Sequence, residues 1–463
     1  MASSGKPKRS SATRAGLLSH VRAQISTVVK RGARVRVGVS GGVDSIVLLD
    51  LLARLAPRMG FELEALHVDH QLSANSRAWA RFCRQACTSL GVPCRVARVR
   101  IARSNSIERA ARDARYAALL ATRADYVALA HNADDQAETV LLQLFRGSGV
   151  RGLAAMPLVR EIAAQGRGRG ATIVRPLIGT ARAEIERYAR RRGLAWIEDE
   201  SNLDTRYTRN WLRREVLPVI AQRVPGYRDV LVRAAFNAAE AAELTDELAR
   251  IDLERTRANG GVSAGALRHL TFARAKNVLR HVIAERGWRT PDSARLSEAL
   301  RQALAARRDA RVSVDLGSCE LKRHGDSIHL VEAAEASRED LFVTWRGERE
   351  LALPALDGVL RMTRGRGRGL SAVRLAHAPV TIRRRRGGER LQPDPRRPRR
   401  TVKNLLQEAG MPHWERERLP FIYCGETLAC VPGIGVDHRF RAQPSEPGIE
   451  PVWTVRSARR VPT

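Results

Sequence analysis

Residues 34–52 read RVRVGVSGGVDSIVLLDLL, and this stretch decides the fold. Val35, Val37 and Val39 alternate with Arg and Gly, the period-two pattern of a strand. The strand runs into Ser40-Gly41-Gly42-Val43-Asp44-Ser45, and an apolar-rich helix follows. Two adjacent glycines between strand and helix let the backbone come close to a phosphate, and the helix N-terminus adds free N–H groups and the positive end of its dipole. Ser40 and Ser45 contribute hydroxyl donors. No lysine lies within the loop, which separates it from the G-x-x-x-x-G-K-[ST] loop of phosphoryl-transfer ATPases. Asp44 inside an anion cradle calls for a cation, Mg²⁺ bridging phosphates. The bland alternative is a tight turn capped by Ser and Asp.

The same rhythm repeats outward from this turn. Strand patterns over 61–68, 92–99 and 126–130 alternate with helical patterns over 77–90, 107–123 and 134–145. Strand alternating with helix at this spacing predicts a parallel sheet with helices on both faces, and ligands in such sheets sit at the carboxyl ends of the strands. The glycine turn, the 67–70 stretch with its two histidines, and the polar run 131–138 all fall at that edge. A helix over 181–192 and the segment 196–218 continue the unit, with 165–170 as a surface insertion. Residues 225–310 are helical and rich in Ala, Leu and Arg, and 312–331 alternate like a β-hairpin. The expected division is a basic tail with a leading helix (1–33), a catalytic α/β domain (34–222), a mainly helical domain (223–332), a linker with short strands (333–374) containing a pliable RGRGRG at 364–369, and a small α+β C-terminal domain (375–455).

Composition narrows the function. The 463 residues carry 81 Lys and Arg against 49 Asp and Glu, a formal net charge of +32. That balance excludes a disordered acidic chain and favours a polyanionic partner, nucleic acid first. The hydrophobic fraction of 44% is that of a globular protein. No run approaches the roughly 18 apolar residues of a membrane span, and the opening MASSGKPKRSSATRAG lacks the apolar stretch of a secretory signal. Nine Lys or Arg precede Asp44, and 383–403 carries ten positive and two negative residues. The six cysteines form no C-x-x-C pair, so zinc and iron–sulfur clips are unsupported; buried free thiols and a reducing cytoplasm are expected.

Two further groups of residues can do chemistry. Asp134 is the natural cap of the helix that follows His131, while Asp135 and Glu138, three apart, share a face. With His131 they can hold either a metal ion or the ammonium of an amine substrate. Glu108, Arg112, Arg115 and Tyr116 lie on the preceding helix, where spacing alone favours a surface ion pair between Glu108 and Arg112.

SGGVDS after a hydrophobic strand resembles the signature of the PP-loop (N-type ATP pyrophosphatase) superfamily, whose fold is the adenine nucleotide alpha hydrolase-like parallel sheet. LHVDHQLSANS at 66–76, IERAARDARY at 107–116, AHNADDQAETVLLQLFRGSGVRGLAAM at 130–156, IVRPLIGTARAEIERYA at 173–189 and WIEDESNLDTRYTRNWLRREVLP at 196–218 are similar to one family within it, the bacterial tRNA(Ile)-lysidine synthetases. TVKNLLQEAGMPHWERERLPFIYCGETLACVPGIGVD at 401–437 resembles that family's terminal domain. The resemblance implies ATP-dependent conversion of the wobble cytidine of a CAU-anticodon tRNA(Ile) to lysidine, with L-lysine as donor and an adenylated cytidine as intermediate. It assigns Ser40, Gly41, Gly42, Val43, Asp44 and Ser45 to the triphosphate and Arg112 and Arg115 to the nucleotide or phosphates. Asp44 and Asp135 are the implied Mg²⁺ ligands, and Asp135, Glu138 and His131 the implied lysine or metal site. Which neighbour acts as base stays open. The family's second histidine after His131 is Asn132 here.

A PP-loop tRNA thiolase competes with this reading, but the absence of cysteine pairs argues against it. A non-enzymatic RNA-binding protein also competes, and the intact SGGVDS, Asp135 and Glu138 oppose it. The expected partners are ATP, L-lysine and tRNA, with no membrane; a homodimer is compatible with the sequence.

Overall fold

A computed structural model describes residues 16–455, apart from 72, 74, 100–106, 122–123, 163–169, 199–203, 259, 308–309 and 333–339. The expected insertion at 165–170 thus lies almost wholly outside the described residues, as do the basic tail and the side chain of Glu108. The chain divides into two compact units between Thr245 and Asp246.

The first unit runs α1 (Leu17–Ser26), β1 (Arg34–Gly38), α2 (Val43–Met59), β2 (Glu62–Asp69), α3 (Ser76–Ser89), β3 (Cys94–Arg98), α4 (Ile107–Leu120), β4 (Tyr126–Ala128), α5 (Ala133–Phe145), α6 (Val150–Leu153), β5 (Val159–Ile162), β6 (Ala171–Val174) and α7 (Arg182–Arg191). The six strands form one sheet in the order β3-β2-β1-β4-β6-β5, parallel except for edge strand β5. Alternation along the strands feeds two layers. Val35, Val37 and Ala128 face the core that α2 fills with Leu48, Leu49, Leu51, Leu52 and Leu55. Leu66, Val127 and Ile173 face the opposite layer, against Leu119 of α4. Each buried leucine contributes about 1.5–3 kcal/mol, so α2 anchors the sheet at the glycine turn. Asp50 of α2 is fully buried and accepts from Tyr188 Oη at 2.7 Å, which pins α2 to α7. The leading helix does not belong with the tail: Leu17, Val21 and Ile25 pack into the same core as α2.

After α7 come α8 (Thr208–Trp211), a π-helical turn (Leu212–Val216), α9 (Leu217–Arg223) and α10 (Tyr227–Thr256). Leu212, Leu217 and Tyr227 pack on Ala137 and Leu141 of α5, so this helical segment lies along the helix that carries the carboxylates. The division between units falls inside α10, some twenty residues later than the boundary expected at 222–223, because the start of α10 is committed to that core.

In the second unit α11 (Ala264–Arg268), α12 (Phe272–Glu285) and α13 (Ser293–Ala305) pack on an antiparallel sheet. Its strands are β7 (Arg257–Ala258), β8 (Gly261–Ser263), β9 (Val312–Asp315), β10 (Cys319–His324) and β11 (Ser327–Glu332), in the order β7-β8-β11-β10-β9. The hairpin expected over 312–331 is β10–β11, paired from Cys319↔Glu332 to His324↔Ser327. The region is helical with a sheet beneath it.

The stretch expected as a linker is not one. It supplies β12 (Phe342–Thr344), β13 (Glu350–Leu353), β14 (Gly358–Arg366) and β15 (Leu370–Ser371). They pair with β16 (Val380–Arg383), β19 (Phe421–Cys424), β20 (Thr427–Val431), β21 (Gly435–Val436) and β22 (Pro447–Val455) in two sheets, β12-β16-β19-β20-β21 and β13-β14-β22-β15. β17 (Arg390–Leu391) and β18 (Arg400–Thr401) form a separate ribbon. Short strands interrupted by Gly and Arg carry too little periodicity to be read singly; the nine-residue register of β14 on β22 makes them cohere. All six cysteines are free, five of them buried. Among the described residues no helix is long and apolar enough to cross a membrane.

Candidate active site at the carboxyl edge of the sheet

The glycine turn closes on itself through Ser45. The Ser40 and Gly41 N–H groups both donate to Ser45 Oγ at 3.2 Å, Gly42 N–H donates to Ser40 Oγ at 3.4 Å, and Ser45 Oγ–H donates to the Gly42 carbonyl at 2.9 Å. These backbone N–H groups converge on two serine hydroxyls at the start of α2, beside the positive end of the helix dipole. Gly41 has φ +95°, and a Cβ there would lie 3.0 Å from Ile197 Cδ1 and 3.4 Å from Cys83 Sγ. Both the backbone and the packing therefore demand glycine. Ile197 N–H donates to the Gly41 carbonyl at 2.9 Å, so the 196–198 segment braces the turn from outside.

Asn132, not Asp134, caps α5. Its side chain accepts from Asp135 N–H at 3.0 Å while Asp135 returns the bond to Asn132 N–H at 3.1 Å, a capping box. Asn132 Nδ2 also donates to Asp44 Oδ1 at 2.9 Å, and this bond joins the glycine turn to the carboxylate helix. The position that departs from the family pattern is thus a structural hinge of the site. Asp134 instead accepts from Arg182 N–H at 2.9 Å and pairs with Arg228, tying α5 to α7 and α10.

Asp135 and Glu138 do share a face, and two arginines occupy it. Arg209 Nε donates to Glu138 at 2.8 Å and Arg213 Nε at 2.6 Å, and Arg213 Nη2 reaches Asp135 at 3.2 Å. Glu138 has no exposed surface. The expectation that it touches lysine or metal directly therefore gives way to a positioning role, in which it orients Arg209 and Arg213. Those two were missed from sequence although they lie four apart, one turn of helix, inside a quoted stretch; the π-helical turn that carries Arg213 left no visible signal.

Electrostatics divides the rim. Burial pushes the Asp44 carboxyl up to about 6, with Arg182 opposing, Asp135 adding to the rise, and the Asn132 bond and Arg213 opposing. His131 goes the other way: burial, then Arg175, Arg209, Arg112 and Arg115, depress its imidazole to about 3, so the ring is neutral at ordinary pH. Arg112 and Arg115 thus belong to the group around His131. Arg112 lies over the Tyr116 ring at 5.6 Å, and Arg115 Nε sits 3.4 Å from His70 Nε2. His131 Nδ1, His70 Nδ1 and Arg175 Nε are buried with no hydrogen-bond partner among the described residues. His67 is spoken for: its Nδ1 lies 2.9 Å from the carbonyl of Val39, the residue before the glycine turn.

The 383–403 run divides equally plainly. Arg383 is buried, doubly bonded to Glu426 at 2.8 Å and set between the Phe342 and Tyr423 rings at 5.1 and 4.7 Å. Arg400 pairs with Glu408. Arg386, Arg390, Arg396, Arg397, Arg399 and Lys403 are exposed.

A glycine turn between strand and helix, linked by one hydrogen bond to an acidic helix on the same sheet edge, defines an ATP-handling domain of the PP-loop class. The family described as PP-loop domain matches residues 17–220, that described as TilS substrate binding domain matches 263–329, and that described as TilS substrate C-terminal domain matches 380–453. The chain is 43% identical over 437 residues to the tRNA(Ile)-lysidine synthase of Nitrosomonas europaea, covering 94% of this chain and 95% of that one. It is 42% identical over 432 residues to the tRNA(Ile)-lysidine synthase of Azoarcus sp., with 92% and 93% covered. Among solved structures, the U34-tRNA thiolase NcsA of Methanococcus maripaludis is similar over 48% of this chain and 78% of its own, at 18% identity and a TM-score of 0.41. The chain belongs to the tRNA(Ile)-lysidine synthase family.

Proposed function

We propose that the protein joins L-lysine to C2 of the wobble cytidine of CAU-anticodon tRNA(Ile), consuming ATP and releasing AMP and pyrophosphate. The observation that carries this reading is the Asn132–Asp44 bond, which brings the glycine turn and the carboxylate–arginine face of α5 to one edge. The cytosine carbonyl is a poor leaving group. Attack of its O2 on the α phosphate of ATP expels pyrophosphate and leaves an adenylated base; attack of the lysine amine at C2 then expels AMP, and the amine loses a proton to a nearby base.

Asp44 and Asp135 are the carboxylates that could face a divalent cation here: the charge of Asp135 adds to the rise of the Asp44 carboxyl, although Asp135 also accepts from Asn132 N–H and Arg213. Asp44 and Asp135 would hold Mg²⁺, which when bound supplies positive charge against the phosphates. The N–H groups of residues 40–42 would exchange their bonds to the Ser45 and Ser40 hydroxyls for phosphate oxygens, and Arg112 and Arg115 would neutralise the nucleotide. Arg209 and Arg213, held by Glu138, add positive charge where it develops on the leaving groups. A neutral His131 with so depressed a basicity is a poor acceptor for an ammonium proton, which favours a hydrogen-bonding role for its partnerless Nδ1 and leaves the carboxylates as candidate bases. A reducing cytoplasm, where unmodified tRNA is found, accords with six free thiols.

Incubation with ATP, Mg²⁺, L-lysine and unmodified tRNA(Ile), followed by digestion and mass measurement of the nucleosides, is expected to yield a cytidine heavier by one lysine less water, only with ATP present. AMP and pyrophosphate without that product would keep the activation step and reject lysine as nucleophile. Neither product would overturn the enzymatic reading.

The basic run gives a separate test of tRNA binding. Replacing exposed Arg396, Arg397 and Arg399 by Ala is expected to lower the slope of log Kd against log salt by about one per lost phosphate contact. Arg383→Ala is expected to leave the slope unchanged and to destabilise the fold, since it strips the partner from Glu426 and the cation from two aromatic rings. A titration series between low and moderate salt, with melting curves of each variant, decides it.

A further inference from the structure

A cavity of about 760 Å³ opens in the second unit where the end of β14, the loop after β12 and the start of β22 converge. Trp345, Arg346, Arg364, Leu375, Pro379 and Ile449 line it. The volume falls within the range that takes a small organic moiety. Leu375 and Ile449 are buried and supply an apolar floor. Trp345 is fixed as a wall: its Nε1–H donates to the Glu348 carbonyl at 2.8 Å, and its backbone N–H donates to the Val380 carbonyl at 2.9 Å.

The RGRGRG stretch meets the pocket at Arg364 and Gly365, and it is not pliable. Gly367 and Gly369 have φ +68° and +74°. A Cβ on Gly367 would lie 2.6 Å from the Pro444 carbonyl oxygen, and one on Gly369 would strike that of Ile449. Gly448, on the facing strand, is filled in turn by the Arg368 carbonyl. The glycines let two backbones interlock, so the intervening arginines are held on a rigid frame. Arg364, Arg366 and Arg368 are all exposed, as is Arg346 across the cavity. Arg364 and Arg366, two apart on one strand, share a face.

We propose that this cavity binds one unpaired nucleotide of the RNA substrate, with its base against Trp345 and the flanking phosphates on Arg346 and Arg364. The site rests on the tRNA-binding reading above and adds to it a position where a base, not only phosphate, is contacted. Charge complementarity selects the occupant. A pocket with an apolar floor, one aromatic wall and a cationic rim fits a flat base carried on a phosphate chain, and paired bases in a stem cannot present a free face to it.

The test uses the full-length protein and a fluorescently labelled tRNA(Ile) transcript. Trp345→Ala is expected to weaken binding about tenfold, the loss of one stacked base, with the salt slope unchanged. Trp345→Phe restores most of the affinity. Arg364→Ala, on an exposed side chain whose loss leaves the floor intact, is expected to lower the salt slope by about one. A photoreactive benzoylphenylalanine at position 345 is expected to cross-link to a single unpaired nucleotide. Unchanged affinity and slope in Trp345→Ala and Arg364→Ala, or cross-links only to paired stems, would overturn the site while leaving the tRNA reading intact. Failure of the unsubstituted protein to bind tRNA would overturn both.

Discussion

Asp44→Asn is expected to abolish pyrophosphate release and, at the same time, to raise the stability of the ligand-free protein above pH 6. Asparagine keeps an oxygen for the Asn132 Nδ2 bond, so the turn stays joined to α5. What it removes is the charge that would hold a cation against the phosphates, and loss of such transition-state stabilisation costs at least about 10²–10³ in rate. The stability change follows from the carboxyl being pushed from 3.8 up to about 6 by burial. A carboxyl raised in the folded state holds its proton more tightly there than in the unfolded chain. Ionising it between pH 3.8 and about 6 therefore destabilises the fold, by up to about 3 kcal/mol once ionisation is complete. The asparagine variant escapes this penalty, so its melting temperature exceeds the parent's above pH 6, and the gap closes as pH falls towards 4. Melts from pH 4 to 8 without ATP or Mg²⁺, beside a pyrophosphate-release assay, test both halves. A pH-independent gap would mean that Asp44 is not held in a desolvating environment.

Glu138→Gln is expected to produce the largest loss of stability in the site. The carboxylate is fully buried and takes both Arg209 and Arg213, whose side chains are only 25% and 30% exposed. Removing one member of a buried ion cluster leaves the others uncompensated, typically at about 3–5 kcal/mol. For the first unit, of 245 residues, melting on its own, that lowers the melting temperature by about 6–10 °C. Arg213→Met alone leaves Glu138 paired with Arg209 and is expected to cost less. Combining Arg209→Met and Arg213→Met with Glu138→Gln should recover part of the loss, because the whole charge cluster then disappears together. Strict additivity in that cycle would show that the three side chains do not act as a unit. Residual activity in Glu138→Gln is expected to fall with the disorder of Arg209 and Arg213, in keeping with a residue that works through its neighbours.

The sequence by itself determined the four parallel strands β1 to β4, while β5 and β6 at the sheet's edge emerge only from the structure. The valine alternation of β1, the apolar run of α2 and their repeats each follow from local period, and the glycine pair marks a turn that a side chain at Gly41 would block. It also placed residues 40–45, His131, Asp135 and Glu138 on one edge, because the carboxyl ends of parallel strands share a side. Only the tertiary structure decided who faces whom there. Arg209 and Arg213 arrive from a helical segment some seventy residues beyond Glu138, Asn132 turns from a departure into the cap that grips Asp44, and Arg383 leaves the basic surface to become a buried strut. The same holds for residues 342–371, whose short strands have no identity until β22 lies beside β14. Periodicity records how a segment meets its own core. It carries no record of which distant charge a buried carboxylate will take as partner, because that choice is made by desolvation and geometry only after the chain has packed.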